Sequence, residues 1–382
     1  MAGSKMRLPI GDAAQAELCV WADTMGWRPR PIQMIKSSGS LRLSRFGSGP
    51  KIPTPSAISG NPGDSRGGEH LHSVDNVARF WSSEGGLRFL SRFPSPFVHA
   101  VMAAMVGAQH HLLIRLDLSA RVQYDPVQVV LDVLRASFCT CTYLKMTEDT
   151  QPDALYYKRS DGRHVDNRGG EGPIFSSMFL CEGLEHAPVD TQLVVLEAMR
   201  MKAVCIRRGH RRDLPNDFTI VAVHSTQRGT SLPRDMRDRF VMELCINDGM
   251  MRVLYRQQQL ARSSLEDGPR LPTAQLRAFR DMDDSGVYVA DTLQQYIRDI
   301  VVCSRNHAHT GLGPSPLGFQ AVLYAARIHA VLTGVAYVRP IDIDSVAGAC
   351  LAHRIDLRHD IPGNINTRAM LRSILGMLVP PK

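Results

Sequence analysis

Arg200, Lys202, Arg207, Arg208, Arg211 and Arg212 fall within 13 residues, with His210 among them and one acid, Asp213, at the edge. Six cations so spaced attract a phosphate backbone at low salt. No aromatic residue is interleaved to stack on bases, so such a surface would bind without reading sequence. The alternative is a solvated basic turn. The eight cysteines offer less chemistry. Cys139 and Cys141 are too close for a usual disulfide, and no C-x-x-C occurs. Cys181, Cys205, Cys245, Cys303 and Cys350 stand in apolar surroundings, so reduced, buried thiols of an intracellular protein are expected, and no metal site.

The elements that must position the cations are legible. Ile174–Cys181 and Phe218–Val223 are short apolar runs that read as buried parallel strands. Between them Val189–Met201 carries Leu193, Val195, Leu196 and Met199 at helical spacing. A hairpin follows, with one strand at Val204–Arg207 and a turn at Arg208–His210, before Leu214-Pro215 leads into the next strand. Strand, helix, hairpin and strand make an α/β unit. Upstream, an apolar helix spans Val98–Gly107, a strand begins at His110–Ile114, a helix covers Pro126–Ala136 and a second strand covers Phe138–Tyr143. A polar loop fills Tyr156–Glu171. Downstream, a charged, Gln-rich connector spans Arg256–Asp284, and helices cover Tyr288–Val302, Leu317–Leu332, Pro340–Arg354 and Ile365–Leu378.

Length allows about two domains plus extensions. Composition is that of a soluble protein, 44% apolar and 21% charged, with net charge +8. No apolar run approaches the 18 or so residues of a membrane span. Residues 1–85 differ. Ala13–Trp27 has the pattern of a short amphipathic helix, but Pro29–Gly68 is rich in Ser, Gly, Pro and Arg, and no acid occurs between Asp23 and Asp64. Such a stretch buries too little surface to fold, so a basic, largely disordered extension is expected. A mitochondrial import segment and a nucleic-acid-binding arm are its functional alternatives, with Asp12 and Glu17 against the former.

Several motifs stand in one order: GPIF at 172–175, Ala187-Pro188, Gln192, LEAM at 196–199, Leu214-Pro215, GTSLP at 229–233 and DRF at 238–240. A second block holds Tyr296-Ile297, Arg305, GLGPSP at 311–316, AAR at 325–327, GVAYVRPID at 334–342 and His353-Arg354. Over about residues 86–360 the chain resembles the AAA+ ATPases of the MoxR and magnesium chelatase I-subunit group. The resemblance implies a parallel five-stranded sheet flanked by helices (86–255), a connector (256–284) and an all-helical lid (285–382). It also implies ATP and Mg²⁺ as cofactors, an oligomer or partner subunit, and a hairpin before sensor 1 that faces the channel of related rings.

Laid on the family's motifs, the catalytic positions have changed type. The phosphate loop needs glycines, a Lys for phosphate and a Ser or Thr for Mg²⁺. Here it reads Arg115–Val122 with no glycine, putting Asp117 and Ser119 beside the phosphates, Arg121 at the Lys and Val122 at the Thr. The Walker B pair becomes Glu182 and Gly183, the sensor 1 Asn becomes Ser225, and the sensor 2 Arg becomes Leu317. Arg239 holds the place of an arginine that reaches a neighbour's nucleotide; alternatively it pairs with Asp238. Three functions follow from this reading. One is a non-hydrolysing scaffold or assembly subunit. The second is a weak Mg-ATPase, with a chelatase- or chaperone-like remodelling role, using Arg121, Glu182 and a relocated Glu185. The third is a nucleic-acid-binding module working through the hairpin.

Overall fold

A computed structural model describes residues 81, 83–106, 110–119, 123–138, 140–157, 172–206, 210–225, 232–263, 287–360 and 366–381. The expected amphipathic helix and import segment, Arg121, Arg207 and Arg208, and most of the polar loop lie outside them.

In chain order the elements are α1 (Glu84–Leu90), α2 (Ser95–Val106), β1 (His111–Asp117), α3 (Pro126–Ser137), β2 (Cys141–Lys145), β3 (Met178–Glu182), α4 (Val189–Met201), β4 (Ala203–Ile206) and β5 (His210–Asp213). Then come β6 (Thr219–Ser225), β7 (Phe240–Asn247), α5 (Asp248–Ser263), α6 (Asp291–Asn306), β8 (Thr310–Leu312), α7 (Pro316–Leu332), α8 (Pro340–Leu351), β9 (Asp356–Leu357) and α9 (Thr367–Met377). Five strands form one parallel sheet in the order β2-β3-β6-β1-β7. Central strands covered on both faces must be apolar without alternation. Leu112, Leu113 and Ile114 of β1, and Met178 to Cys181 of β3, are accordingly buried.

Helix α2 is apolar on every side because it is covered on both, by β1 and β7 on one face and by lid helix α7 on the other. The lid is α6 to α9. Its junction with the core is ionic. Arg354, 2% exposed, donates to the carbonyls of Asp238 (3.1 Å), Phe240 (2.6 Å), Val241 (3.4 Å) and Cys350, and its Nε lies 3.5 Å from Asp238 Oδ1. Arg237 reaches back to His353 O (3.1 Å) and Asp356 (2.7 Å). Arg368 of α9 donates to Glu243 Oε2 at 2.9 Å.

Several expected boundaries move for physical reasons. Ile174 and Phe175 belong to a 3-10 turn, Pro173–Phe175, and the strand starts only at Met178. Pro173 donates no hydrogen bond, and Ser176 Oγ closes the turn on Pro173 O (2.9 Å) and Met178 O (2.7 Å). Phe138 ends α3 instead of starting β2, because its ring packs among Phe89, Phe93 and Phe97. Strand β1 runs on to Asp117, whose partner in β7 is Asn247. The connector expected from Arg256 begins inside α5. Trp81, within the expected extension, is fully buried and meets Phe89 edge-on at 6.1 Å. Cys141, Cys181 and Cys350 are buried, but Cys205 is exposed on the hairpin, contrary to its apolar neighbours in sequence.

Candidate functional site

Asp117, Glu182 and Ser225 end β1, β3 and β6, adjacent strands of the sheet. The C-terminal edge of such a sheet is where α/β proteins place ligands. Arg239 and Leu317 lie elsewhere. Arg239 precedes Phe240, which pairs with His111 at the start of β1. Leu317 is followed by Gly318, which packs on Leu351 and Arg354, and Arg354 binds Asp238 and Phe240. The candidate residues thus form two groups at opposite ends of the sheet, about 20 Å apart along six strand steps.

The loop after β1 is tied to α5. Ser119 donates to Asp248 Oδ2 from its backbone N (3.2 Å) and from its hydroxyl. Tyr124 stacks on Tyr255, with centroids 4.2 Å apart. Helix α3 starts only at Pro126, and its N-cap is Asp125, whose carboxylate accepts from Val127 N at 2.9 Å. A helix N-terminus attracts anions; here a carboxylate of the chain itself already holds the place. Asp125 is not one of the motif positions, although an Asp-Pro pair before an apolar helix is an N-cap signal.

Glu182 has both oxygens engaged. Tyr143 Oη donates to Oε2 at 2.5 Å, and Lys145 Nζ lies 3.1 Å from Oε1. Both partners come from β2, where the register sets Lys145 opposite Glu182. Burial and this carboxylate push the Tyr143 phenol well above its ordinary range. Gly183 follows in the left-handed region, φ 73°, donating its N–H to Val223 O at 3.0 Å; a Cβ there would stand 2.9 Å from Met146 O. Glu185 does not face the edge as a spare base. Its side chain is buried, its Oε2 has no hydrogen-bond partner, and its charge helps burial raise the Cys181 thiol.

Ser225 is placed by its ladder with Leu116 of β1. Its neighbour His224 points Nε2 at Glu243 Oε1 (3.5 Å), and Arg115 Nη1 lies 4.0 Å from Oε2 of the same carboxylate. Although burial opposes it, the cationic surroundings hold the Glu243 carboxyl down to about 2. At Leu317 the backbone N–H is taken by the N-cap Ser315 Oγ (3.2 Å). The hairpin presents Arg211, 3.5 Å from Asp213, and Arg212, whose guanidinium lies 4.1 Å from the Phe175 ring centroid. Among the described residues, no group of three or more His, Cys, Asp or Glu is placed to hold a metal ion, and no helix is long and apolar enough to cross a membrane.

Residues 108–242 match the family model described as ATPase family associated with various cellular activities (AAA), and residues 303–374 match the AAA lid domain. The chain is 24% identical to the chaperone MoxR1 of Mycobacterium tuberculosis, over 64% of this chain and 68% of that protein. It is 25% identical to the protein MoxR of Paracoccus denitrificans, over 55% and 70%. The chain belongs to the AAA+ ATPases of the MoxR type. An uncharacterized Bacillus subtilis protein, YeaC, is 28% identical over 55% of this chain and 67% of its own. A crystal structure of a candidate ATPase from Cytophaga hutchinsonii shares the fold, with a TM-score of 0.62 at 19% identity, covering 83% of this chain and 98% of that one. Within this AAA+ frame, Asp117, Glu182 and Ser225 stand at the C-terminal edge of the sheet, and Arg239 and Leu317 at the far one.

Proposed function

We propose that this chain is an AAA+ subunit that does not hydrolyse ATP and serves as a scaffold or assembly partner. The observation that carries this reading is the surroundings of Glu182. A Mg²⁺-holding carboxylate needs free oxygens facing the phosphates; here a lysine ammonium and a phenol take both. Lys145 thereby supplies the positive charge that a metal would otherwise bring. The residues do not fit Mg²⁺–ATP elsewhere on the edge either. Asp125 holds the helix N-terminus, Gly183 cannot polarise water, and Asp117 adds negative charge where phosphates would lie. The chaperone task named for the M. tuberculosis relative would then fall, here, to holding a client or an active partner subunit in place.

The test is ATP binding and turnover by the purified full chain with Mg²⁺, beside an Arg121→Ala, Glu182→Ala double variant. Neither binding nor phosphate release above the variant is expected. Turnover abolished by the two substitutions would overturn the proposal.

A further inference from the structure

The lid carries an exposed aromatic step. Tyr288 and Tyr337 form a parallel bridge, Tyr288 donating its N–H to Ala336 O at 3.2 Å and accepting from Val338 N at 2.9 Å. Side chains alternate along such extended backbone. Val287, Val289 and Val338 are accordingly buried, while Tyr288 and Tyr337 stand outward, 69% and 52% exposed. Bridged strands lie about 4.8 Å apart, so the two phenols rise from neighbouring roots. Neither ring meets another ring, and neither hydroxyl has a hydrogen-bond partner, among the described residues. Ile341, in the first turn of α8, adds an aliphatic side chain that is 62% exposed. Grouped rather than scattered, such side chains mark a docking surface.

The flanks of the step are acidic. Asp291 opens α6 just after Tyr288, and Asp344 follows Ile341 by one turn of α8. Both are exposed, and neither has an ion pair among the described residues. Tyr296 of α6 donates its Oη to Asp344 Oδ1 at 2.8 Å, which ties the two helices together. Arg339, the cation next to Tyr337 in sequence, is committed to Asp342 through Nε (3.0 Å) and Nη2 (2.8 Å). On a chain of net charge +8, this is a local surplus of carboxylate.

That chemistry selects its occupant. A phosphate backbone is repelled by the two carboxylates, and a docking helix needs an apolar groove several turns long. An extended proline-rich segment fits instead. Its carbonyls have no internal hydrogen bonds and accept from the free phenol hydroxyls, and its proline rings lie against the phenol faces. An arginine or lysine within it meets Asp291 or Asp344.

We propose that the Tyr288–Tyr337 step of the lid docks a basic, proline-rich, extended segment of another protein. The surface uses none of the strand ends, so it stands whether or not this chain hydrolyses ATP.

Fluorescence anisotropy tests it, the full chain being titrated into a labelled peptide of four Pro-Pro-Arg repeats at about 100 mM NaCl. Saturable binding is expected, and none with Pro-Pro-Glu repeats. Gly-Ser-Arg repeats, with the same charge but no preformed conformation, should bind weaker by roughly tenfold or more. Tyr288→Ala with Tyr337→Ala should weaken binding roughly tenfold or more. Asp291→Asn with Asp344→Asn should weaken it about fivefold and flatten its salt dependence, while the amide still accepts from Tyr296 Oη. All four positions are exposed, and far-UV circular dichroism confirms that each variant folds. Failure of the Pro-Pro-Arg peptide to bind, equal binding of the Gly-Ser-Arg peptide, or binding indifferent to the tyrosine pair would overturn the inference.

Discussion

Acidification should unfold this protein early, and two buried imidazoles set the size of the effect. His111 is 1% exposed and His353 7%. His111 Nδ1 accepts from Ile220 N at 3.1 Å, so the ring is neutral with its proton on Nε2, facing Met199 O. Protonating Nδ1 would set two donors face to face. His353 turns Nε2 to Phe240 O (3.0 Å) beside the Arg354 cation. Burial first, then neighbouring cations, lowers both from 6.5 to about 3. A depressed folded pKa gives stability that is complete above the unfolded value and is lost as pH falls towards the folded one. Near pH 5 the unfolded chain holds almost one proton on each ring and the folded chain almost none, a slope of about 2.7 kcal/mol per pH unit. Between pH 7 and pH 5 that integrates to roughly 4 kcal/mol, a large part of the stability of about 5–15 kcal/mol typical of a domain. His99 and His110, lowered to about 3 and about 4, push the same way. Glu243 and Asp342, held at about 2, act in a lower window, below the unfolded carboxylate range. Urea unfolding at pH 7, 6 and 5 measures the slope, and His111→Asn with His353→Gln should flatten about half of it, His99 and His110 carrying the rest. A stability that changes by less than about 1 kcal/mol over that range would refute the assignment of neutral, buried rings.

Three further outcomes follow from single positions. Gly183→Glu restores the carboxylate expected of the Walker B pair but places a Cβ 2.9 Å from Met146 O at positive φ; it should cost about 2 kcal/mol and yield no ATP turnover, and an unchanged melting temperature would contradict the strain argument. Tyr143→Phe removes a donor to a carboxylate and should cost roughly 1–2 kcal/mol in urea unfolding, less if Lys145 moves to compensate. Arg354→Leu strips the donors from buried carbonyls and leaves Asp238 uncompensated, so a loss of about 3 kcal/mol or more is expected, together with faster protease cleavage between core and lid. Cleavage at the unaltered rate would show that the junction does not depend on this arginine.

The sheet, the crossover helix α3, the lid helices and the hairpin are legible because continuous apolar runs and helical spacing carry them. The site is legible only as a set of positions. That Glu182 sits at a strand end can be read from its distance to Ala187-Pro188. That Tyr143 and Lys145 close on it cannot, because the apolar pattern starts β2 three residues early and the register of two parallel strands is not written in either of them. The same kind of slip hides the length of β1. Its apolar run stops at Ile114, so the loop compared with a phosphate cradle is taken three residues before it begins. Asp248, which holds Ser119, lies more than a hundred residues away in sequence. Sequence offers Asp238 as the partner of Arg239, whereas Arg354, from the lid, takes that carboxylate.

The junction between core and lid bears on what such a chain can do. A lid that swings must withdraw Arg354 from the carbonyls that begin β7, Arg237 from His353 O and Asp356, and Arg368 from Glu243. Arg354 is buried, and exchanging its hydrogen bonds for water costs a net of roughly 1.5–3 kcal/mol for each bond to a charged group. Glu243 also binds Arg115 of β1 and His224 of β6, so pulling on α9 disturbs three strands beneath the lid at once. A ligand could move this lid only by binding the open arrangement better by at least that much free energy, and the C-terminal edge has already assigned its helix N-cap and its Glu182 carboxylate to the protein itself.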